Sequence, residues 1–172
     1  MKKLASIIFL FIVALGCKGP EEPTQFSAEA LDDTFVTLQG ETVAFSSILE
    51  KHKGQTIVID VWASWCKDCI EGMPKVKTLQ DSQSQAVYVF LSLDKTQDAW
   101  KKGIEKYNVT GQHYFMQSGW EGPFGNFINL DWIPRYMVVN KAGNIALYKA
   151  IEADNAKLLS TIKAPTHNHI NP

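Results

Sequence analysis

With three cysteines, one arginine and four histidines in 172 residues, the chain has few ways to build a chemical site. It lacks an excess of positive charge. Seventeen Lys and Arg stand against eighteen Asp and Glu, for a formal net charge of −1, which argues against the basic surface a nucleic-acid binder needs. It has no internal repeat and no glycine-rich nucleotide fingerprint. A structural zinc site needs four ligands, yet there is no second Cys-x-x-Cys, and His52, His113, His167 and His169 are scattered or lie in the tail. The one long hydrophobic run, residues 4–16, has 13 residues, short of the roughly 17–25 that span a bilayer as a helix. What is present, 45% hydrophobic and 20% charged residues, suits one soluble globular domain.

The first residues read as a targeting segment. Met1-Lys2-Lys3 is a positive start, residues 4–16 an apolar core, and Ala14-Leu15-Gly16-Cys17 resembles a bacterial lipobox, in which the cysteine is lipidated and becomes the new N-terminus. The expectation is a lipoprotein signal peptide over 1–16, in preference to plain secretion or an uncleaved anchor. Cysteine arithmetic supports it: an exported chain with three cysteines has one left over, and lipid on Cys17 leaves Cys66 and Cys69 as a pair. Residues 17–25, polar with two prolines, are expected to be the lipidated cysteine and a flexible tether. Residues 26–164 are the domain and 165–172 a polar tail, where His167 and His169 read as solvated residues and not as metal ligands.

Inside the domain, Phe35–Leu38 and Val43–Phe45 read as a hairpin. A short helix follows, with Ser46 or Ser47 as its cap. Thr56–Val61 is β-branched without alternation, as for a strand buried on both faces. A helix from about Cys66 carries Ile70, Met73, Val76 and Leu79 as one apolar stripe, interrupted by Pro74, which should kink it. A strand over 86–93, a helix over 98–107, a loop with a short helical turn over 109–131, a hairpin over 135–149 turning at Gly143, and a helix from about Asp154 complete the order β-β-α-β-α-β-α-β-β-α. That order implies an α/β fold with a mixed central sheet flanked by helices.

Cys66-Lys67-Asp68-Cys69 sits where a strand hands over to a helix. Residues i and i+3 share a helix face, so the sulfurs can meet. Helix N-terminal N–H groups favour an anion and lower the pKa of a thiol placed there. The second cysteine is one turn deeper, suited to attack a mixed disulfide from within. A structural staple is the alternative in an exported protein. It would close a tiny loop, worth on the order of 2 kcal/mol against about 3 for a 15-residue loop, so a redox pair is favoured. Trp65 is expected at the apolar rim of Cys66, while Trp62 fits either the site or core packing. Asp60, a carboxylate in a buried strand, is costly unless paired or protonated.

VIDVWASWCKDC resembles the thioredoxin superfamily, and residues 26–163 resemble its TlpA/ResA-type branch of envelope thiol–disulfide oxidoreductases. The lead-in hairpin, the W-A-S-W-C-x-x-C segment, Pro74 and the Ile133-Pro134 pair carry the likeness. The family has Pro where this chain has Asp68, a position that bears on redox potential. The resemblance implies a thioredoxin-like fold with an N-terminal β-hairpin. It implies Asp60 as a buried acid beneath the second cysteine, taking the proton of Cys69. It implies Ile133 and a cis Pro134 lying against the Cys-x-x-Cys to bind an extended substrate and to keep metal from the thiols.

The expected function is then a membrane-tethered oxidoreductase on the periplasmic side of a bacterial envelope. It would reduce oxidised envelope proteins, apocytochrome c among the candidates, with electrons from a membrane thiol donor. It would act as a monomer without cofactor, metal or nucleic acid. A peroxiredoxin-type peroxidase needs Thr and Arg around its cysteine, and the only arginine is Arg135. A non-enzymatic interaction module is the third reading.

Overall fold

The computed structural model describes residues 21–163. The signal segment, Cys17, and the tail with His167 and His169 lie outside the described residues. In chain order the elements are α1 (Ala28–Asp32), β1 (Thr34–Thr37), β2 (Thr42–Ala44), α2 (Phe45–Lys51), β3 (Ile57–Trp62), α3 (Lys67–Ser82), β4 (Val87–Ser92), α4 (Gln97–Tyr107), β5 (Gln112–Phe115), α5 (Pro123–Phe127), β6 (Arg135–Val139), β7 (Ile145–Ala150) and α6 (Ala156–Lys163). The strands form one seven-stranded sheet in the order β2-β1-β5-β4-β3-β6-β7. β3, β4 and β5 run parallel, while β6 is antiparallel to both β3 and β7. This is the mixed sheet flanked by helices that the sequence implies.

β3 is buried at all six positions, as its unbroken apolar run requires of a strand covered on both faces. α3 places Val76 and Leu79 in the core and Ile70 and Met73 half-buried against it. Pro74 stands inside this helix, so the Ile70 carbonyl receives no backbone N–H four residues on. The β6–β7 hairpin turns at Gly143, whose φ of +85° favours a residue without a Cβ.

Two elements, α1 and β5, escaped the sequence reading, and the short helical turn expected within 109–131 is α5. α1 spans barely one turn, too short to show a period; Ser27 Oγ caps it at Ala30 N–H, 3.2 Å. β5 replaces what was expected to be loop. Its buried positions are His113 and Tyr114, so it carries no apolar signature, and it is fixed by pairing with β1 and β4. α5 starts on Pro123 and buries Phe124 among Phe26, Phe35 and Phe45. The expected serine cap of α2 is also corrected. The helix begins two or three residues earlier, with Ala44 at the N-cap and no side-chain cap, and the Phe45 N–H is satisfied by the Asp33 carbonyl at 2.8 Å. At the start of the domain, the Thr24 carbonyl accepts from Ile145 N–H at 2.8 Å, and Gln25 donates to Asn144. The last residues ascribed to the tether therefore already touch β7. Among the described residues no helix is long and apolar enough to cross a membrane.

Candidate active site

The Cys66-x-x-Cys69 pair is joined as a disulfide with the Cα atoms 5.3 Å apart. Cys66 is the N-cap of α3, and its Sγ accepts the Cys69 N–H at 3.1 Å. The same N–H remains available to a thiolate after reduction, together with the other unpaired N–H groups of the helix start. The two cysteines differ in access: Cys66 is 6% exposed and Cys69 1%. An incoming disulfide therefore meets Cys66.

The segment before Cys66 is held by an acid that the sequence reading passed over. Asp94, buried after β4, accepts from Ser64 N–H at 3.1 and 3.2 Å, from Ser64 Oγ at 2.5 Å and from Ser92 Oγ at 2.8 Å. This pins the turn that carries Trp65 and Cys66. The available signal was a lone aspartate closing the apolar run Ala86–Leu93. α4 approaches the same turn so closely that a Cβ on Gly103 would lie 2.4 Å from Ser64 Cβ.

Ile133 and Pro134 sit where the resemblance implies. The Ile133–Pro134 peptide is cis, and the Ile133 carbonyl oxygen lies 3.6 Å from Cys66 Sγ. Around them is a cleft of about 270 Å³ bounded by Trp65, Cys66, Trp120, Trp132 and Ile133. Trp65 and Trp132 are more than half exposed, so three indoles form an apolar wall beside the reactive sulfur. Trp62 instead is fully buried. Of the two tryptophans at the ends of the 120–132 segment, neither had been given a firm place by the sequence.

The loop ahead of Pro134 is tied from inside the protein. Arg135 is fully buried and donates to the Ile128 carbonyl at 2.6 Å, to the Asn129 carbonyl, and to Asp131. Lys149 adds a second cation to Asp131 at 2.9 Å. The only arginine is thus committed to the loop backbone and not turned toward Cys66, which removes the support a peroxidase site would need.

Asp60 lies on β3 six residues before Cys66, 3% exposed. Neither of its carboxylate oxygens makes a hydrogen bond of ordinary geometry. Burial pushes its pKa up to about 8, eased slightly by the Tyr136 hydroxyl, which belongs to the residue directly opposite on β6. An acid of this kind is neutral below that pH and takes up or gives back a proton near neutrality.

Comparison with known proteins agrees with this geometry. The family profile described as Thioredoxin-like matches residues 54–145. The chain is 30% identical over 90 residues to the thioredoxin-like protein YneN of Bacillus subtilis, covering 50% of this chain and 51% of that one. It is 25% identical over 101 residues to the thiol–disulfide oxidoreductase ResA of Bacillus cereus, covering 58% and 56%. The chain thus spans about half the length of these curated relatives. The solution structure of a putative thiol–disulfide oxidoreductase from Bacteroides vulgatus superposes with a TM-score of 0.62 at 25% identity, over 87% of this chain and 91% of that one.

Proposed function

Because the chain belongs to the thioredoxin-like family, we propose that it is a thiol–disulfide oxidoreductase of the bacterial envelope that reduces protein disulfides through Cys66 and Cys69. The observation that carries this reading is the unequal pair at the start of α3, one sulfur at the floor of an apolar cleft and the other sealed beneath it. In the reduced protein the Cys66 thiolate, held by the Cys69 N–H, attacks one sulfur of a substrate disulfide, and the other leaves as thiolate. The Cys69 thiol then gives its proton to Asp60 and attacks Cys66 Sγ. The substrate's second thiolate departs, leaving the Cys66–Cys69 disulfide. A membrane thiol donor outside this chain returns the two electrons.

The substrate is an extended, disulfide-bearing segment of an oxidised envelope protein, apocytochrome c among the candidates, lying between the indoles and the Ile133 backbone. A folded surface does not readily reach a cysteine that is 6% exposed. In this reading residues 1–16 are a lipoprotein signal that is removed, and lipid on Cys17 anchors the protein on the periplasmic side of a membrane. It acts as a monomer, without cofactor, metal or nucleic acid.

Trapping tests the assignment. Cys69→Ser should leave Cys66 covalently bound to its substrate, because no internal thiol remains to release it. Cys66→Ser should trap nothing. Non-reducing gels of membrane fractions show the adducts, and mass spectrometry identifies the partner. Equal trapping by both variants would reverse the roles of the cysteines. No adduct from either, with wild-type protein unable to reduce insulin, would leave a thioredoxin-fold interaction module.

A further inference from the structure

Asp60 poses a problem of access. In the proposed reaction it takes one proton from Cys69 in each cycle and must return to its starting state, yet it is 3% exposed and neither oxygen makes a hydrogen bond of ordinary geometry, the Tyr136 hydroxyl being the one side-chain group that acts on its carboxyl. In the sheet its neighbour on one side is Phe90 of β4, which cannot carry a proton. Its neighbour on the other side is Tyr136 of β6, in direct antiparallel register, so the two side chains share a face. Tyr136 is 2% exposed. It also reaches a second surface groove, of about 320 Å³, bounded by Glu71 and Lys75 of α3 and by Glu152 and Ala153 after β7. Room of that size admits water. The groove adjoins the indole cleft at Trp132 and Asp68.

We propose that the Tyr136 hydroxyl is the relay through which Asp60 exchanges its proton with this groove, making Tyr136 a positioning residue for the step in which Cys69 releases the substrate. The inference rests on the proposed role of Asp60. As the Cys69 sulfur bonds to Cys66 Sγ, the substrate sulfur leaves with the electron pair of the broken S–S bond, and the Cys69 proton moves to an Asp60 oxygen. Because Asp60 holds a proton at neutral pH, it must be emptied before it can take the Cys69 proton: it gives its own proton to the Tyr136 oxygen while Tyr136 releases its hydroxyl proton to water in the groove, so resolution waits on the relay. No net charge rests on the phenol. Burial and the facing Asp60 carboxylate hold its ionisation far above neutrality, so it works as a hydroxyl throughout. The ionisable groups around the pair are Cys69, Asp68, Glu71 and Lys75 on α3 and Glu152 and Asp154 after β7. Lys75 is paired with both Glu152 and Asp154. Beyond Phe90, His113 of β5 stacks on the ring.

The test uses the reduced full chain and an aromatic disulfide, 5,5′-dithiobis(2-nitrobenzoate). The first thionitrobenzoate released reports attack by Cys66, and the second reports resolution by Cys69. Tyr136→Phe should leave the first phase unchanged and slow the second at least roughly tenfold, within the range of proton-transfer catalysis. The slowed phase should show a larger solvent deuterium isotope effect and should be restored by added imidazole or by Tyr136→His. A second phase as fast as wild type in Tyr136→Phe, with Asp60→Asn clearly slowed, overturns the relay and leaves Asp60 its role. A second phase unaffected by Asp60→Asn removes the acid's role and the relay with it. Slowing that neither imidazole nor Tyr136→His relieves is a packing effect and also overturns the relay. Absence of the first phase in wild type instead removes the oxidoreductase reading itself.

Discussion

At Asp60 the effect of pH on stability runs opposite to that of a salt-bridged carboxylate. Burial holds its folded pKa at about 8, above the 3.8 of a free aspartate. Between these limits the folded protein holds a proton that the unfolded chain has lost. Stability therefore falls as pH rises, by up to about 1.4 kcal/mol per pH unit, and levels off once the folded carboxyl also ionises. Asp60→Asn removes this dependence, while any packing cost of the amide is the same at every pH. In urea unfolding of the oxidised protein, the variant should gain on wild type by about 3 kcal/mol between pH 5 and pH 7.5. A difference that does not change with pH would mean that Asp60 is ordinarily solvated.

Among the elements, the segment that carries Trp120 hangs on one carboxylate. Asp33, buried between α1 and β1, accepts from Ser118 Oγ at 2.8 Å and from Phe124 N–H at 2.9 Å. Loss of that acceptor leaves a buried N–H unpaired. Asp33→Ala should cost roughly 1–3 kcal/mol and loosen the indole wall. Turnover of a protein disulfide should drop more than that of a small disulfide, and Asp33→Asn, which keeps an acceptor, should be milder. Equal loss on both substrates would mean that the wall does not bind substrate. Sequence showed none of this because the partners lie 85 and 91 residues from Asp33. β3 and α3, by contrast, were legible because an unbroken β-branched run and a three-four apolar stripe are local signals. Cys66, Cys69 and the Ile133-Pro134 pair were legible as a motif. β5 was not, since its place is set by strands on either side and not by its own residues. Asp94 and Tyr136 stayed hidden for the same reason, because each matters through a neighbour across the sheet or turn.

For the whole molecule, direction of electron flow is tied to folding. In a thermodynamic cycle, a pair that readily gives up electrons is one whose disulfide stabilises the fold. If the protein is a reductant, the oxidised form should unfold at higher guanidinium concentration than the reduced form. The difference converts to potential at about 30 mV for each 1.4 kcal/mol. A reduced form more stable than the oxidised one would make the protein an oxidant.

The contact between Thr24 and Ile145 has a consequence for orientation. Ile145 stands level with Val139, and Val139 with Ile57, at the start of β3. Cys66 follows the far end of that strand, roughly 20 Å away at the usual strand rise. The polypeptide thus joins the domain at one pole and opens its reactive cleft at the other. A body held to a lipid surface by residues ahead of Thr24 would hold its working face outward, toward passing clients, with the sheet standing between the chemistry and the bilayer.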